Sequence, residues 1–274
     1  MIVMVMEEIK QYIRSWKHFF LSGGAWSGKT YTLMQVLDFI FQEYNTRAKV
    51  ACITFTKVAV KEIKERSPYG NLRVSTIHEF LWENIKDYKS NLKKSLIDLI
   101  EKEKTEEKSG IKFSWNISDI DFSGWVQYQE YIKIDKWIIS HDEVLKLANY
   151  MFKTYPLLCK ILKDKYDFIL IDEYQDTEKQ VVDIFLEYLR AQSSENPIIG
   201  FFGDSMQSIY GNGIQDLDSY WDKVNKVIKA DNWRCSRTVV GLINQIRNDS
   251  IVQTPMWTPE EWNITFLFPL RLTK

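Results

Sequence analysis

Near its N-terminus the chain contains the run Gly23-Gly24-Ala25-Trp26-Ser27-Gly28-Lys29-Thr30. It matches the pattern G-x-x-x-x-G-K-[ST], which average composition would produce by chance in about 0.01 of chains of this length. An apolar run at residues 18–21 (HFFL) precedes it, and a segment with apolar residues at helical spacing follows it from Tyr31 to about Tyr44. The run therefore has the strand–turn–helix setting that a phosphate-binding loop requires.

The residue types of this loop suit the binding of nucleotide phosphates. Its glycines and other small residues let backbone N–H groups turn toward phosphate oxygens, and the following helix adds partial positive charge at its N-terminus. We expect Lys29 to contact the outer phosphates and Thr30 to hold Mg²⁺, with all eight residues forming an ATP·Mg²⁺ site. Trp26 is bulky for such a loop and fits only with its side chain directed away from the ligand. A glycine turn that binds no ligand is the minor alternative.

A second anchor for the metal is expected at the carboxyl end of another buried strand. Residues 168–171 (FILI) form an apolar run, and Asp172 and Glu173 follow it directly. Ligands bind beyond the carboxyl ends of strands in open α/β sheets, so we expect Asp172 to face the metal and Glu173 to orient a hydrolytic water as a base. Such an acidic pair, taken alone, is equally typical of a helix N-terminus. The phosphate loop upstream favours the metal site.

Strand-like and helix-like segments alternate along most of the chain. Apolar runs predict strands at residues 50–55, 198–202 and 226–229, and helical spacing predicts helices at 58–66, 178–190 and 236–247. This alternation is typical of a parallel sheet covered by helices. Between residues 81 and 142 the chain is instead rich in charges of alternating sign, which indicates a mostly helical insertion. Residues 251–274 are irregular and contain several prolines.

The overall composition limits the classes of function. Of 274 residues, 36 are lysine or arginine and 37 are aspartate or glutamate, which gives a formal net charge of −1. A nearly neutral chain creates no global field for a polyanion, so we expect any nucleic acid to bind locally. The cysteines, Cys52, Cys159 and Cys235, have no disulfide or zinc spacing, and no apolar run is as long as a membrane span. These features predict a folded cytoplasmic protein.

Six short motifs follow one another in an order that points to a family. After the phosphate loop come T-F-T at residues 54–56, S-T-I-H-E-F at 75–80, D-E-Y-Q-D-T at 172–177, G-D-S-M-Q-S-I-Y at 203–210 and N-W-R-C-S at 232–236. Together they resemble the UvrD/Rep-like superfamily 1 DNA helicases over roughly the first 250 residues. The resemblance implies an α/β fold with a RecA-like ATP-binding domain at residues 1–80 and 143–250. The helical insertion, residues 81–142, would be its inserted subdomain.

The resemblance also implies roles for three further residues at the nucleotide. Gln207 would sense the γ-phosphate, and Arg234 would stabilise charge on the phosphoryl group during its transfer. Trp233 stands where the family has a tyrosine that stacks on adenine. The roles of the loop residues and of the acidic pair stay as the residue chemistry predicts them.

A second set of matching positions implies contacts with single-stranded DNA. In the family these positions follow the DNA strand, and here they are Phe55, Thr56, Thr76 and His78. The residues themselves leave two interpretations open, because Phe55 is equally well explained as a core side chain and His78 as a structural histidine.

Several positions depart from the family pattern. Trp26 replaces the usual glycine, Lys57 replaces an asparagine, and residues 211–214 (GNGI) stand where the family carries a base-stacking aromatic. Gln11 is a candidate for the adenine-reading glutamine, with a plain surface position as the alternative. The sequences of residues 139–144 (ISHDEV) and 203–213 resemble those of the shorter UvrD-like helicases of antiphage systems such as Gabija.

What the resemblance implies is the first motor lobe of an ATP-dependent DNA helicase or translocase that uses ATP and Mg²⁺. Its partners would be single-stranded DNA or DNA ends, and a nuclease in antiphage defence. No motif of the second motor domain follows Arg234, so we expect residues 251–274 to begin such a domain at most and the chain alone to hydrolyse ATP weakly. The alternative is a regulatory subunit that senses ATP or DNA ends without unwinding. A P-loop kinase is disfavoured because the motifs of Gln175 and Gln207 have no role there.

Overall fold

A computed structural model of the chain describes residues 2–45, 47–104, 124–190, 197–208, 220 and 223–256. Residues 105–123 of the predicted insertion lie outside the described residues. The same holds for residues 211–214, where the base-stacking aromatic is replaced, and for residues 257–274 of the irregular C-terminal segment.

Six parallel strands form the central sheet. They are β1 Phe19–Gly23, β2 Val50–Thr54, β3 Leu72–Thr76, β6 Phe168–Asp172, β7 Ile198–Gly203 and β8 Asn225–Lys229. Their order across the sheet is β3-β2-β6-β7-β1-β8, and every neighbouring pair is parallel. The described residues also form two short parallel ladders, β4 Gln127–Tyr128 with β5 Ile138–Ile139 and β9 Asp231–Asn232 with β10 Thr254–Pro255. The predicted α/β class, a RecA-like parallel sheet with helices, is confirmed.

Helices cover the sheet and account for most of the remaining described chain. They are α1 Ile2–Arg14, α2 Lys29–Glu43, α3 Lys57–Arg66, α4 Ile77–Ile85, α5 Lys89–Lys104, α6 His141–Thr154, α7 Pro156–Lys165, α8 Lys179–Asp183 and α9 Arg237–Ile246. The predicted helix at 178–190 is α8 followed by a π-helical turn over Ile184–Tyr188. Among the helices that the structure describes, none is long and apolar enough to cross a membrane.

The core lies on both faces of the sheet because alternate strand residues point to opposite sides. One cluster joins Phe19, Leu21 and their neighbours to α1, α2 and α3. The other joins Phe20, Phe201 and their neighbours to α4, α5, α6, α7 and α8. Helices of the predicted insertion therefore share a hydrophobic core with one face of the sheet. The domain boundaries at residues 81 and 142 stay a prediction.

Helix α9 forms where its sequence predicts a helix, but it buries little of its apolar side. Helical spacing puts Val239, Val240, Ile243 and Ile246 on one side of α9, where Val240 is buried and Ile246 is 67% exposed. Among the described elements, the main contact of α9 is with the short strand β10.

Candidate nucleotide and DNA sites

The carboxyl edge of the sheet brings the sequence motifs side by side. Strands β6, β7 and β1 are neighbours and end at Asp172, Gly203 and Gly23, which begin three of the nucleotide motifs. Strands β2 and β3 end at Thr54 and Thr76, next to the residues predicted to contact DNA. The two predicted sites therefore occupy adjacent parts of one edge.

The loop between β1 and α2 is built so closely that it requires small residues. Gly28 has a φ of 81°, a left-handed conformation that favours glycine. A Cβ atom on Gly23 would lie 2.6 Å from Ser27 Oγ, and one on Gly24 would clash with Gln253. The Ser27 hydroxyl is fully buried and has no hydrogen-bond partner. A narrow backbone loop with an unsatisfied hydroxyl fits the wrapping of a phosphate group.

Lys29 lies across this loop. Its side chain is 8% exposed, and Nζ donates hydrogen bonds to the carbonyl oxygens of Gly23 at 3.0 Å and Gly24 at 3.4 Å. Both acceptors are neutral, so an anionic phosphate oxygen would be the stronger partner for the ammonium. Thr30 follows as the second residue of α2, half-buried at the base of the loop.

Asp172 and Glu173 lie at the end of β6, as the sequence predicts. Asp172 is 5% exposed, and this burial, together with the charge of Glu173, raises its pKa to about 7. The nearby Lys29 charge opposes that rise. Glu173 takes a left-handed backbone conformation with a φ of 53°, which turns the chain sharply after the strand. The structure thus holds a dry carboxylate and a more accessible one next to each other.

The donor set suits Mg²⁺ bound together with phosphates. Among the described residues no group of three or more histidine, cysteine, aspartate or glutamate side chains could hold a metal by itself. Magnesium in phosphate-transfer sites is commonly held by only one or two protein side chains, with phosphate oxygens and waters as the other ligands. Thr30 and Asp172 provide one hydroxyl and one carboxylate of this kind.

Hydrogen bonds connect the predicted base to the predicted γ-phosphate sensor. Gln175 Nε2 donates to Glu173 Oε2 at 2.6 Å, and Gln175 Oε1 accepts from the backbone N–H of Asp204 at 3.1 Å. Gln207 Nε2 in turn donates to Asp204 Oδ2 at 2.7 Å. The D-E-Y-Q-D-T and G-D-S-M-Q motifs therefore form one network at the ends of β6 and β7.

Trp233 and Arg234 lie beside the phosphate loop on its outer side. The Trp233 backbone N–H donates to the Trp26 carbonyl oxygen at 3.3 Å, and the Arg234 guanidinium carbon lies 6.0 Å from the centroid of the Trp26 ring. Trp26 is 47% exposed and Trp233 is 43% exposed. Arg234 thus contacts the aromatic ring of the loop, which leaves its predicted role at the phosphoryl group a prediction.

The predicted DNA residues are only partly brought together. Phe55, Thr76 and His78 line an open cavity of about 510 Å³, whereas Thr56 is not part of this lining. The hydroxyl of Thr56 instead accepts from Ala59 N at the start of α3. Thr76 has a similar capping role, since its hydroxyl accepts from the Glu79 backbone N–H at the start of α4. The Thr56 and Thr76 hydroxyls are therefore also explained by helix capping.

The cavity is aromatic and acidic. The His78 ring lies 4.7 Å from the ring of His141 and 6.4 Å from that of Phe55, and burial lowers the pKa of His78 to about 4. His78 is therefore neutral at pH 7. Five carboxylates line the cavity against one lysine, namely Glu79, Glu130, Asp142, Asp176 and Glu178 against Lys57. This lining favours stacking with bases over contacts with phosphates.

Three residues of the nucleotide site, Gln175, Arg247 and Gln253, are not predicted as site residues by the sequence. The sequence shows Gln175 only as part of the D-E-Y-Q-D-T motif. Gln253 donates to the carbonyl oxygen of Ala25 in the phosphate loop at 2.9 Å, and Arg247 contacts Asp204. Arg247 and Gln253 follow the last motif, and no local sequence pattern indicates that either residue belongs to the site.

Comparisons with known proteins agree with this geometry. A family model described as an AAA domain matches residues 7–212. The Gabija protein GajB of Bacillus cereus (strain HuB5-5) is 30% identical to this chain in an alignment that covers 86% of this chain and 48% of that protein. The ATP-dependent DNA helicase PcrA of Staphylococcus aureus (strain Mu50 / ATCC 700699) is 25% identical in an alignment that covers 87% of this chain and 39% of that protein.

A solved structure of unliganded Pif1 from Bacteroides sp matches 88% of this chain and 44% of its own, at 15% identity and a TM-score of 0.39. The chain spans about half the length of the GajB proteins that it matches, and less of PcrA. The matched family model covers most of the chain, including the phosphate loop and the acidic pair. The chain therefore belongs to the AAA domain family, and the resemblance of its motifs to the first motor portion of UvrD/Rep-like superfamily 1 helicases of the Gabija type is confirmed.

Proposed function

We propose that this chain is the ATP-hydrolysing motor portion of a DNA helicase or translocase. The proposal rests on one observation: three neighbouring strands end at the same edge of the sheet and place Lys29 and Asp172 there. Glu173 and Gln207 lie at this edge too, and hydrogen bonds through Gln175 and Asp204 connect them. A fixed cation, a metal-binding carboxylate, a base and a polar sensor are the groups that phosphoryl transfer to water requires. Two of the relatives support the proposal by their names, GajB as a Gabija protein and PcrA as an ATP-dependent DNA helicase.

Each residue has a defined task in this proposal. Backbone N–H groups of residues 23–30 and the Lys29 ammonium bind the phosphates, and Thr30 and Asp172 hold Mg²⁺, which supplies charge neutralisation at the phosphate oxygens. Glu173, oriented by the Gln175 amide, accepts a proton from water. Gln207 contacts the γ-phosphate. Trp233 stacks on adenine and Arg234 stabilises the transferred group, as the family resemblance implies.

DNA is proposed to bind at the neighbouring cavity. Phe55 and His78 supply ring faces there, and Thr56 and Thr76 lie at the ends of α3 and α4. The acidic lining implies few phosphate contacts, so we expect single-stranded DNA or DNA ends to be held mainly through bases. We further propose a cytoplasmic role in antiphage defence together with a nuclease, on the basis of the Gabija resemblance.

ATP hydrolysis with and without single-stranded DNA tests the proposal. The wild-type chain should bind ATP·Mg²⁺, and DNA should stimulate its turnover. Lys29→Met should weaken ATP binding by roughly ten- to a hundredfold, because a charge-assisted hydrogen bond is lost. Glu173→Gln should keep ATP binding and stop hydrolysis. Lys49→Met removes an exposed lysine at the opposite edge of the sheet and should change neither quantity.

The outcomes separate the two candidate functions. DNA-stimulated turnover supports a motor, whereas nucleotide binding without turnover, with or without DNA, supports the regulatory sensor. Equal ATP affinity for the wild type and Lys29→Met would contradict the assignment of the phosphate loop itself.

A further inference from the structure

A buried arginine joins the end of α9 to the nucleotide site. The Arg247 guanidinium donates to both carboxylate oxygens of Asp204, from Nη2 to Oδ1 at 2.8 Å and from Nη1 to Oδ2 at 3.1 Å. The two side chains are 5% and 1% exposed. Such a two-pronged contact fixes the direction of a carboxylate as well as its position. Arg247 Nε also donates to Asp249 at 2.8 Å, which fixes the guanidinium itself.

Asp204 is the residue that orients Gln207. Its Oδ2 atom accepts from Gln207 Nε2 at 2.7 Å, and its Oδ1 atom accepts from the Met206 backbone N–H at 3.2 Å. With the two bonds from Arg247, four donors surround this carboxylate. Burial alone would raise the pKa of Asp204, but the hydrogen bonds from Arg247 and Gln207 outweigh it and lower the pKa. Asp204 therefore stays an anion, and Arg247 provides two of the four hydrogen bonds to its carboxylate.

Asp204 and Arg247 are also connected to the predicted base Glu173 and to the phosphate loop. The Asp204 backbone N–H donates to Gln175, whose amide also holds Glu173. On the other side, a Cβ atom on Gly24 would lie 3.0 Å from Arg247 Nη1, so the guanidinium packs directly on the loop backbone. Arg247 therefore touches the loop that binds the phosphates while it holds the carboxylate that orients the sensor.

We propose that Arg247 is a positioning residue for γ-phosphate recognition, acting through Asp204 on the amide of Gln207. The inference rests on the proposed function, because it concerns how the same site distinguishes ATP from ADP. A guanidinium fork is needed for this task, since a point charge would neutralise Asp204 without fixing its direction. The alternative is that Arg247 merely anchors residues 247–256 to the sheet.

The test compares affinities for ADP and for the non-hydrolysable ATP analogue AMP-PNP, measured by calorimetry on the full 274-residue chain with Mg²⁺. The ratio of the two dissociation constants reports γ-phosphate recognition without requiring turnover. We expect Gln207→Ala and Arg247→Met each to lower the preference for AMP-PNP by about tenfold. A change of this size corresponds to the loss of one hydrogen bond to a charged group. The double variant should show no further loss, because both changes remove the same contact.

Two further variants keep the test decisive. Arg247→Lys keeps the charge and should fold even if Arg247→Met does not, and we expect it to lose part of the AMP-PNP preference. Arg73→Met breaks a two-pronged ion pair with Glu83 at the other side of the sheet and should leave the preference unchanged.

Three results would overturn the inference. If both Arg247 variants only lower the melting temperature while Gln207→Ala lowers the AMP-PNP preference, Arg247 is an anchor. If Gln207→Ala leaves the preference unchanged, Asp204 orients a side chain that does not recognise the γ-phosphate. If the wild type binds neither nucleotide, the proposed function itself fails, and the inference with it.

Discussion

Replacing Asp172 by asparagine is expected to stabilise the metal-free protein at neutral pH and to remove its response to Mg²⁺·ATP. Asp172 lies at the end of β6 with 5% exposure, and its pKa of about 7 reflects burial and the adjacent Glu173 charge. Asparagine has nearly the same size and carries no charge. The substitution therefore removes the cost of a buried anion and, with it, the metal ligand.

The expected size of the effect follows from the two pKa values. The ordinary value for this carboxyl is 3.8, so the unfolded chain loses its proton at a lower pH than the folded protein does. Asp172 therefore costs stability progressively as the pH rises from about 4 to about 7, and the cost is constant above that range. At about 1.4 kcal/mol for each pH unit between the two values, the full cost is of the order of 4 kcal/mol. In a chain of this size it corresponds to a melting temperature difference of the order of 10 °C.

Urea unfolding of the wild type and Asp172→Asn in EDTA, between pH 4.5 and 8, measures this cost. The difference in unfolding free energy reports Asp172 together with its coupling to Glu173, because contributions from the remaining groups are common to both proteins. We expect the difference to grow in favour of the variant up to about pH 7 and then to level off. With Mg²⁺·ATP at a hundred times its dissociation constant, the wild type should gain about 2.7 kcal/mol and the variant far less.

A matched control lies at the other end of the same strand. Asp167 accepts a hydrogen bond from the Lys49 backbone N–H, far from the carboxyl edge, so Asp167→Asn should keep the Mg²⁺·ATP response. If Asp172→Asn and the wild type differ by the same free energy at every pH, Asp172 ionises normally in the fold. The reasoning from its burial would then be refuted.

Two further predictions concern DNA binding at the cavity of Phe55 and the loss of stability at low pH. Phe55→Ala should weaken single-stranded DNA binding by roughly 1–3 kcal/mol in a fluorescence anisotropy titration, because a stacking face is lost; normal binding with a much lower melting temperature would instead identify Phe55 as a core residue. Burial lowers the pKa of His18 from 6.5 to about 4, so its contribution to stability should be lost as the pH falls from 6.5 toward 4. Between pH 7 and pH 5, the unfolding free energy measured in urea should fall less for His18→Gln than for the wild type. Equal losses for the two proteins would show that burial does not lower the pKa of His18.

The sequence predicted those parts of the fold that local patterns encode. The buried strands β2, β6 and β7 appear as short apolar runs because both of their faces are covered. The strand β3, with the sequence LRVST, has no such run and is defined by its pairing with β2. The contact of Arg247 with Asp204 joins residues 43 positions apart, and no spacing in the sequence encodes it. Only the folded chain brings such pairs together.

The D-E-Y-Q-D-T segment gives the two sites a short physical connection. Glu173 and Gln175 belong to the nucleotide network, whereas Asp176, Thr177 and Glu178 line the cavity of Phe55. A single 3₁₀ turn, Tyr174–Asp176, joins the two groups, and the fully buried Tyr174 anchors this turn in the core. In a translocase the nucleotide must change the affinity for DNA, and the same coupling free energy must act in reverse. Under the proposed function, a turn whose residues face both predicted sites would supply that coupling without a long-range path, because a shift of the Glu173 and Gln175 side chains would act on backbone next to the cavity.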